Sequence, residues 1–379
     1  LIYLDNAATS FPKAPGVGAA VARALESPLG NAGRPSSIAG LGASRIAFEA
    51  REELAALFGV PDSRRIAFTK NATEALNLAI MGAVPSGGRL AVSSFEHNSV
   101  MRPARRLVVE KGVELIVFAC DEEGKPDPDS LASALAARPD LLVLTAVSNV
   151  TGAITPFEEA AALCLAAGVP FLVDGSQAAG HLPIALGDTD ISAFCFAGHK
   201  GLLGPEGTGG IWMAEGFDPP PLLYGGTGSE SASELQPGVL PDRYEAGTQN
   251  APALAGLLVA ARFLSRTGLR CVELREMALR DRLVDGLRGI RRLSVLGPGA
   301  ASRSAPVVSL TARGISPAEL ALELGKREIA ARPGLHCAPS AHRALGTLES
   351  GGTLRLSPGF FTTESEIDET LAAIKEILA

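Results

Sequence analysis

Lys200 follows His199 where an apolar run breaks into a glycine-rich turn, in the stretch ISAFCFAGHKGLLGPEGTGG at 191–210. A lysine held at the end of a buried strand loses solvation of its ammonium, so its pKa falls and its amine becomes available for Schiff-base chemistry. On this stretch alone, a surface lysine in a glycine-rich loop is the competing reading. Asp174 stands at a second such point, where FLVD runs into GSQA. A carboxylate delivered there by an apolar strand caps a turn or faces a cationic partner. The chemically productive partner is a pyridinium nitrogen, which a buried carboxylate keeps protonated so that the ring can accept carbanion electrons.

Other residues complete the constellation. KNATEALN sets Asn71 three residues before Glu74, a capping-box pattern that needs no function. The same helix start offers the N–H groups of Ala72 and Thr73, and the threonine hydroxyl, to a phosphate. His97, in SSFEHNSV, is either a satisfied structural histidine or a flat ring able to stack on a cofactor. A lysine and an aspartate on neighbouring strand ends, with a phosphate site nearby, is the arrangement pyridoxal phosphate requires. Cys120, Cys164, Cys195 and Cys271 lie in apolar runs and read as small buried hydrophobes. Cys337 differs, because it sits in the Gly/Pro-bounded segment RPGLHCAP.

The elements that must position these groups follow from apolar patterning. Strands are expected at 66–69, 90–94, 113–119, 141–147, 171–173, 191–196 and 209–213, with helices at 72–81, 100–110, 130–137 and 158–167. Short strands apolar on both faces and interleaved with helices imply an α/β fold, a parallel sheet covered on both sides. Ligands bind such sheets at the carboxyl ends of the strands. Those ends carry Asn71 and Thr73, Glu96 and His97, Ser148 and Asn149, Asp174 and Gln177, and His199 and Lys200. Ahead of the sheet come a lead-in at 1–15, a helix at 16–26, the Gly/Pro-rich loop SPLGNAGRPSS and a helix at 43–58. Beyond it, one long helical region at 252–290, strands at 293–296 and 306–311, and helices at 316–326 and 365–378 suggest a smaller α+β unit. The expected division is a lead-in at 1–15, a large unit at 16–250 and a small unit at 251–379 carrying Cys337.

Composition removes several classes. A net charge of −7 without a basic run argues against nucleic acid as a partner. Apolar runs stay far below the roughly 18–20 residues that a membrane span requires, so no membrane association is expected. The first residues lack the pattern of a signal peptide, and a soluble, cytoplasmic protein is the expectation. The five cysteines form no CxxC pair, which excludes a zinc ribbon and disfavours a disulfide framework; no metal site is expected.

The motifs YLDNAATSFPK, NATEALN, FEHNSV, VSNVTG, VDGSQA, FAGHKGLLGPEGTG, YEAGTQN and RPGLHCAP run in this order from end to end. Together they resemble the class V aminotransferase-fold family of pyridoxal-phosphate enzymes, in particular its cysteine desulfurase and selenocysteine lyase branch. RPGLHCAP is similar to the short reactive-cysteine segment of group II desulfurases. The resemblance implies a fold type I enzyme with a mainly parallel sheet flanked by helices and a smaller α+β C-terminal domain. It implies that Lys200 binds the cofactor covalently, Asp174 pairs with its pyridine nitrogen, and His97 stacks on the ring. Gln177 and Asn149 would contact the phenolic oxygen side, and Thr73 (beside Ala72) and His199 the phosphate. Thr248 would reach the cofactor phosphate of a partner subunit in a homodimer, Arg355 would bind the substrate carboxylate, and Cys337 would be the nucleophile. Two departures stand out. The family usually has serine where this chain has Ala197, and the Cys337–Arg355 interval, with its LESGG insertion, is longer than in well-known group II members.

The reaction so implied converts L-cysteine to L-alanine and leaves sulfur on Cys337 as a persulfide, which a sulfur-acceptor protein or thiol then removes. Only a thiolate attacks, and Arg332 and His336 stand close enough in sequence to lower the Cys337 pKa. L-selenocysteine as substrate, another lyase or aminotransferase of the same fold, and a weakly catalytic sulfur-transfer scaffold are the alternatives.

Overall fold

The computed structural model describes residues 1–30, 38–300 and 302–379, so residues 31–37 of the expected Gly/Pro-rich loop lie outside it. In chain order, the first elements are β1 (Ile2–Tyr3), α1 (Val17–Glu26), α2 (Ile38–Leu57), β2 (Ile66–Thr69), α3 (Ala72–Ala83), β3 (Arg89–Ser93) and α4 (Asn98–Lys111). There follow β4 (Glu114–Phe118), α5 (Pro128–Ala136), β5 (Leu141–Thr145), α6 (Phe157–Ala167), β6 (Phe171–Asp174), β7 (Ala193–Ala197) and β8 (Gly209–Met213). The remainder comprises α7 (Ala251–Thr267), α8 (Leu269–Arg288), β9 (Leu293–Leu296), β10 (Val308–Ala312), α9 (Pro317–Gly325), β11 (Ile329–Ala330), β12 (Arg332–Gly334), α10 (Pro339–Ala344), β13 (Thr353–Leu356) and α11 (Glu364–Leu378).

Seven strands form one sheet in the order β2-β8-β7-β6-β5-β3-β4. Every residue of β5, β6 and β7 is buried, as expected for a sheet covered on both faces. In β7 the side chains alternate between two cores. Phe194 and Phe196 pack with α2 and α7, whereas Ala193 and Cys195 pack on the side of α3 and α4. One strand departs from the expected parallel sheet: β8 runs antiparallel to both β7 and β2. The link at 198–208 contains no helix, and a parallel return needs a crossover of about a dozen residues or more.

The helical region expected at 252–290 is two helices broken at Gly268, whose φ of +81° suits glycine. α7 packs its buried Leu254, Leu257, Ala260 and Leu264 into the first core. The core around the second sheet draws Leu283 and Leu287 from α8, Leu310 from β10, Leu354 and Leu356 from β13, and Ile367 and Ile374 from α11. That sheet is antiparallel in the order β12-β13-β10-β9, so it holds four strands where the sequence suggested two. β12 reads Arg-Pro-Gly, which carries no strand signature and is ordered by pairing with β13. No helix among the described residues is long and apolar enough to cross a membrane.

The N-terminal segment ties the two sheets together. β1 pairs in parallel with β11, and Asp5 continues that pairing opposite Ser357, just past β13. Further on, Ser10 N–H, Thr9 Oγ1, Ser10 Oγ and Lys13 Nζ all donate to the His199 carbonyl. The lead-in is therefore anchored to the backbone of the residue that precedes Lys200.

Candidate active site

A cavity of about 80 Å³ opens at the carboxyl ends of the parallel strands. Ala72, Thr73, His97, Asn149, Asp174, Gln177, His199 and Lys200 all line it, together with Ala197, Asn71, Ser99 and Ser176. Residues from five separate stretches thus meet where the sheet rule placed them.

Lys200 follows β7, and Asp174 ends the neighbouring strand β6. Burial lowers the Lys200 ammonium from 10.5 to about 8, with Asp174 pulling the other way and Arg355 and Arg332 reinforcing the drop. Asp174 is 4% exposed, and its Oδ1 accepts from Ser176 N at 2.9 Å and Ser176 Oγ at 2.5 Å. Its other oxygen has no hydrogen-bond partner among the described residues. Beside it sits Glu96, fully buried and pushed up to about 8, first by burial. Glu96 Oε1 accepts from Ser93 Oγ at 2.6 Å and Thr145 N at 2.8 Å, which locks together the ends of β3 and β5.

His97 caps α4, with Nδ1 accepting the Ser99 N–H at 3.0 Å. Burial, then the Lys200 charge, lowers its pKa to about 4, so the ring is neutral near pH 7. Ser99 Oγ lies 2.9 Å from that nitrogen and 2.8 Å from Thr73 Oγ1, making a hydroxyl pair at the start of α3. Asn71 Oδ1 accepts from Glu74 N, whereas the Glu74 carboxylate reaches Lys70 N and not Asn71 N, so the expected capping box is half formed. His199 is likewise driven to about 4 by burial, and its Nδ1 is buried without a partner. Gln177 donates from Nε2 to Ala7 O at 2.8 Å.

Cys337 and Arg355 lie beside that lining, joined to it through Asn149. Asn149 Nδ2 donates to His336 O at 2.7 Å, and Asn149 O accepts from Arg355 Nη1 at 3.1 Å. Asn98 N–H donates to Cys337 O at 2.7 Å, so the first residue of α4 also holds this loop. His336 and Cys337 have φ of +49° and +57°, two successive left-handed residues that turn the Cys337 side chain outward and leave it exposed. The expected help from His336 fails. Burial drives its pKa to about 2, and its Nε2 pairs with Thr353 Oγ1 at 2.9 Å, so it is a neutral ring facing the core. The longer LESGG interval folds into tight turns, with Gly352 N–H donating to Thr347 O and Gly351 N–H to Leu348 O. A Cβ at Gly352 would fall 2.2 Å from Gly334 O, so the turn closes only because of that glycine.

Thr248 is not in the Lys200 cavity. It lines a separate cavity of about 420 Å³ with Lys70, Glu74, Tyr244 and Asn250. Sequence reasoning passed over Asp5, Ser99 and Ser176, although all three lie inside motifs it quoted. Asp5 meets Arg355, and Ser99 meets Thr73, only through the fold, whereas Ser176 bonds Asp174 two residues away and could have been read as a local turn partner.

Residues 2–370 match the family model described as Aminotransferase class-V. The chain is 31% identical over 384 residues to a probable cysteine desulfurase of Methanothermobacter thermautotrophicus, covering 99% of this chain and 94% of that relative. It is 30% identical over 342 residues to a probable cysteine desulfurase of Pyrococcus abyssi, covering 87% and 83%. Among solved structures, the apo cysteine desulfurase from Thermococcus onnurineus NA1 superposes with a TM-score of 0.92 at 30% identity, covering 100% of this chain and 94% of that one. The S-sulfonic acid form of the cysteine desulfurase CsdA from Escherichia coli gives 0.89 at 27% identity, covering 100% and 95%.

Proposed function

The chain belongs to the aminotransferase class-V family, and from that premise we propose that it is a pyridoxal-phosphate-dependent cysteine desulfurase, taking sulfur from L-cysteine onto Cys337 and releasing L-alanine. The observation that carries this reading is the meeting of Lys200 and Asp174 on adjacent strand ends, with the Cys337 loop tied to the same cavity through Asn149 and Asn98.

The residues fit the cofactor. A phosphate would meet the N–H groups that open α3, the Thr73 and Ser99 hydroxyls, and the unpartnered His199 Nδ1. Ser99 would supply the hydroxyl missing at Ala197. Asp174 has a free oxygen for a pyridinium N–H, and neutral His97 offers a flat face. When bound, pyridoxal phosphate supplies an electron sink at the substrate α-carbon, which labilises the Cβ–S bond.

Lys200 would hold the cofactor through Nζ and, once freed by the substrate amine, would take the α-proton there. A pKa near 8 keeps an appreciable fraction of the amine neutral close to physiological pH. Arg355 would orient the substrate carboxylate, a task suited to a guanidinium fork. The Cys337 thiolate would attack the substrate sulfur, forming the S–S bond as the Cβ–S bond breaks. The bond electrons stay with Cβ, which takes a proton to give alanine, so no outside oxidant is needed. A thiol or acceptor protein would then remove the terminal sulfur. Placement of Thr248 in its own cavity, away from Lys200, supports its service to a partner subunit and hence a homodimer.

Alanine and sulfide released from L-cysteine with a reductant test this reading, beside alanine and selenide from L-selenocysteine. Cys337→Ser should bind cofactor and substrate yet release little alanine from cysteine. Wild-type turnover by Cys337→Ser would reject persulfide chemistry in favour of simple elimination.

A further inference from the structure

Arg355 is a buried cation, 2% exposed, whose pKa is lowered by burial and supported by one carboxylate, Asp5. Asp5 Oδ1 accepts from Arg355 Nη2 at 3.0 Å, across 350 residues of sequence. Arg355 Nη1 is taken by Asn149 O, and Nε is buried with no partner. Arg332 stands directly across from Arg355 in the β12–β13 pairing, with Nη1 3.9 Å from Asp5 Oδ2. Two arginines opposite one another on a sheet repel, and Asp5 is the carboxylate that both approach. Its own position is fixed by backbone: Ser357 N–H donates to Leu4 O, Asn6 N–H to Ser357 O, and Ala7 N–H to Ser357 Oγ. Strand alternation then puts Asp5 beside Arg355, two residues before Ser357.

We infer that Asp5 is a positioning residue for the substrate carboxylate: with Asn149 O it pins both terminal nitrogens of Arg355, fixing the guanidinium plane and leaving the remaining N–H donors of the fork for an incoming carboxylate. This rests on the proposed role of Arg355 as the carboxylate-binding group. The N-terminal motif YLDNAATSFPK thereby acquires a function, since it carries the group that aims the arginine.

The test is calorimetric binding of L-alanine to the holoenzyme, with ethylamine as a ligand lacking the carboxylate, beside KM and kcat for L-cysteine. Asp5→Ala should weaken L-alanine and raise the cysteine KM by about tenfold or more, the scale of one lost charge-assisted contact. Ethylamine affinity and kcat should stay within about threefold. Asp5→Asn, which keeps an acceptor in place, should recover most of the affinity. Asp5→Glu keeps the charge but moves the carboxylate out by one methylene, so it should weaken L-alanine selectively even if the alanine variant does not fold. Equal weakening of both ligands would make Asp5 merely structural, and unchanged or tighter L-alanine binding in Asp5→Ala would overturn the inference. A wild type that makes no alanine from cysteine, yet shows the selective Asp5 effect on L-alanine, would reject the desulfurase reading and leave the positioning role standing.

Discussion

Glu96 offers a test of the site's electrostatics that needs no substrate. Its carboxyl is fully buried and raised from 4.5 to about 8, first by desolvation and then by Asp174. The folded protein therefore holds a proton there across a range where the unfolded chain has released it. Stability must then be fully present below about pH 4.5 and be lost as pH rises toward and through 8. Between pH 5 and pH 8 those two pKa values give a loss of roughly 3 to 4 kcal/mol, at about 1.4 kcal/mol per unit. Glu96→Gln mimics the neutral acid: its amide oxygen can still accept from Ser93 Oγ and Thr145 N–H, and its NH2 replaces the partnerless second oxygen. His97 and His199 are lowered to about 4 and change stability in the opposite sense, but they are shared by both proteins. Urea unfolding of wild type and Glu96→Gln, each without cofactor at pH 5 and pH 8, isolates Glu96 as the difference of differences. The variant should gain relative to wild type by about 3 kcal/mol on going from pH 5 to pH 8. An identical pH dependence in the two proteins would show that Glu96 is ionised in the fold and refute the reasoning.

Two further outcomes follow from the site. Borohydride reduction of the cofactor-loaded protein should add the cofactor mass to the peptide containing Lys200, and Lys200→Ala should carry no such mass; labelling at another lysine would reassign the anchor. Thr248→Ala should lose cofactor more readily on dialysis, and mixing it with inactive Lys200→Ala should restore activity through hybrid dimers having one intact site. No recovery despite proven subunit exchange would place Thr248 in its own subunit's chemistry or in none.

Local pattern sufficed for much of this protein. Apolar runs bounded by glycine, proline and charge mark out the seven strands of the main sheet, most clearly the central β5, β6 and β7, because a strand buried on both faces must be apolar throughout. The carboxyl-edge rule then selects Lys200, Asp174, His97 and Thr73 without knowledge of any contact, and all four share one cavity. Tertiary structure decided what depends on pairing between distant segments. Arg-Pro-Gly becomes a strand only because β13 lies beside it, and β8 reverses because its link carries no crossover helix. His336 is next to Cys337 in sequence, yet its ring turns to Thr353 and loses its charge to burial. Asp5 reads as one more polar residue in a lead-in until strand register brings it across the whole chain to Arg355. Periodicity encodes which face of an element is buried; which charge meets which across a buried site is set by the register of segments that local sequence cannot align.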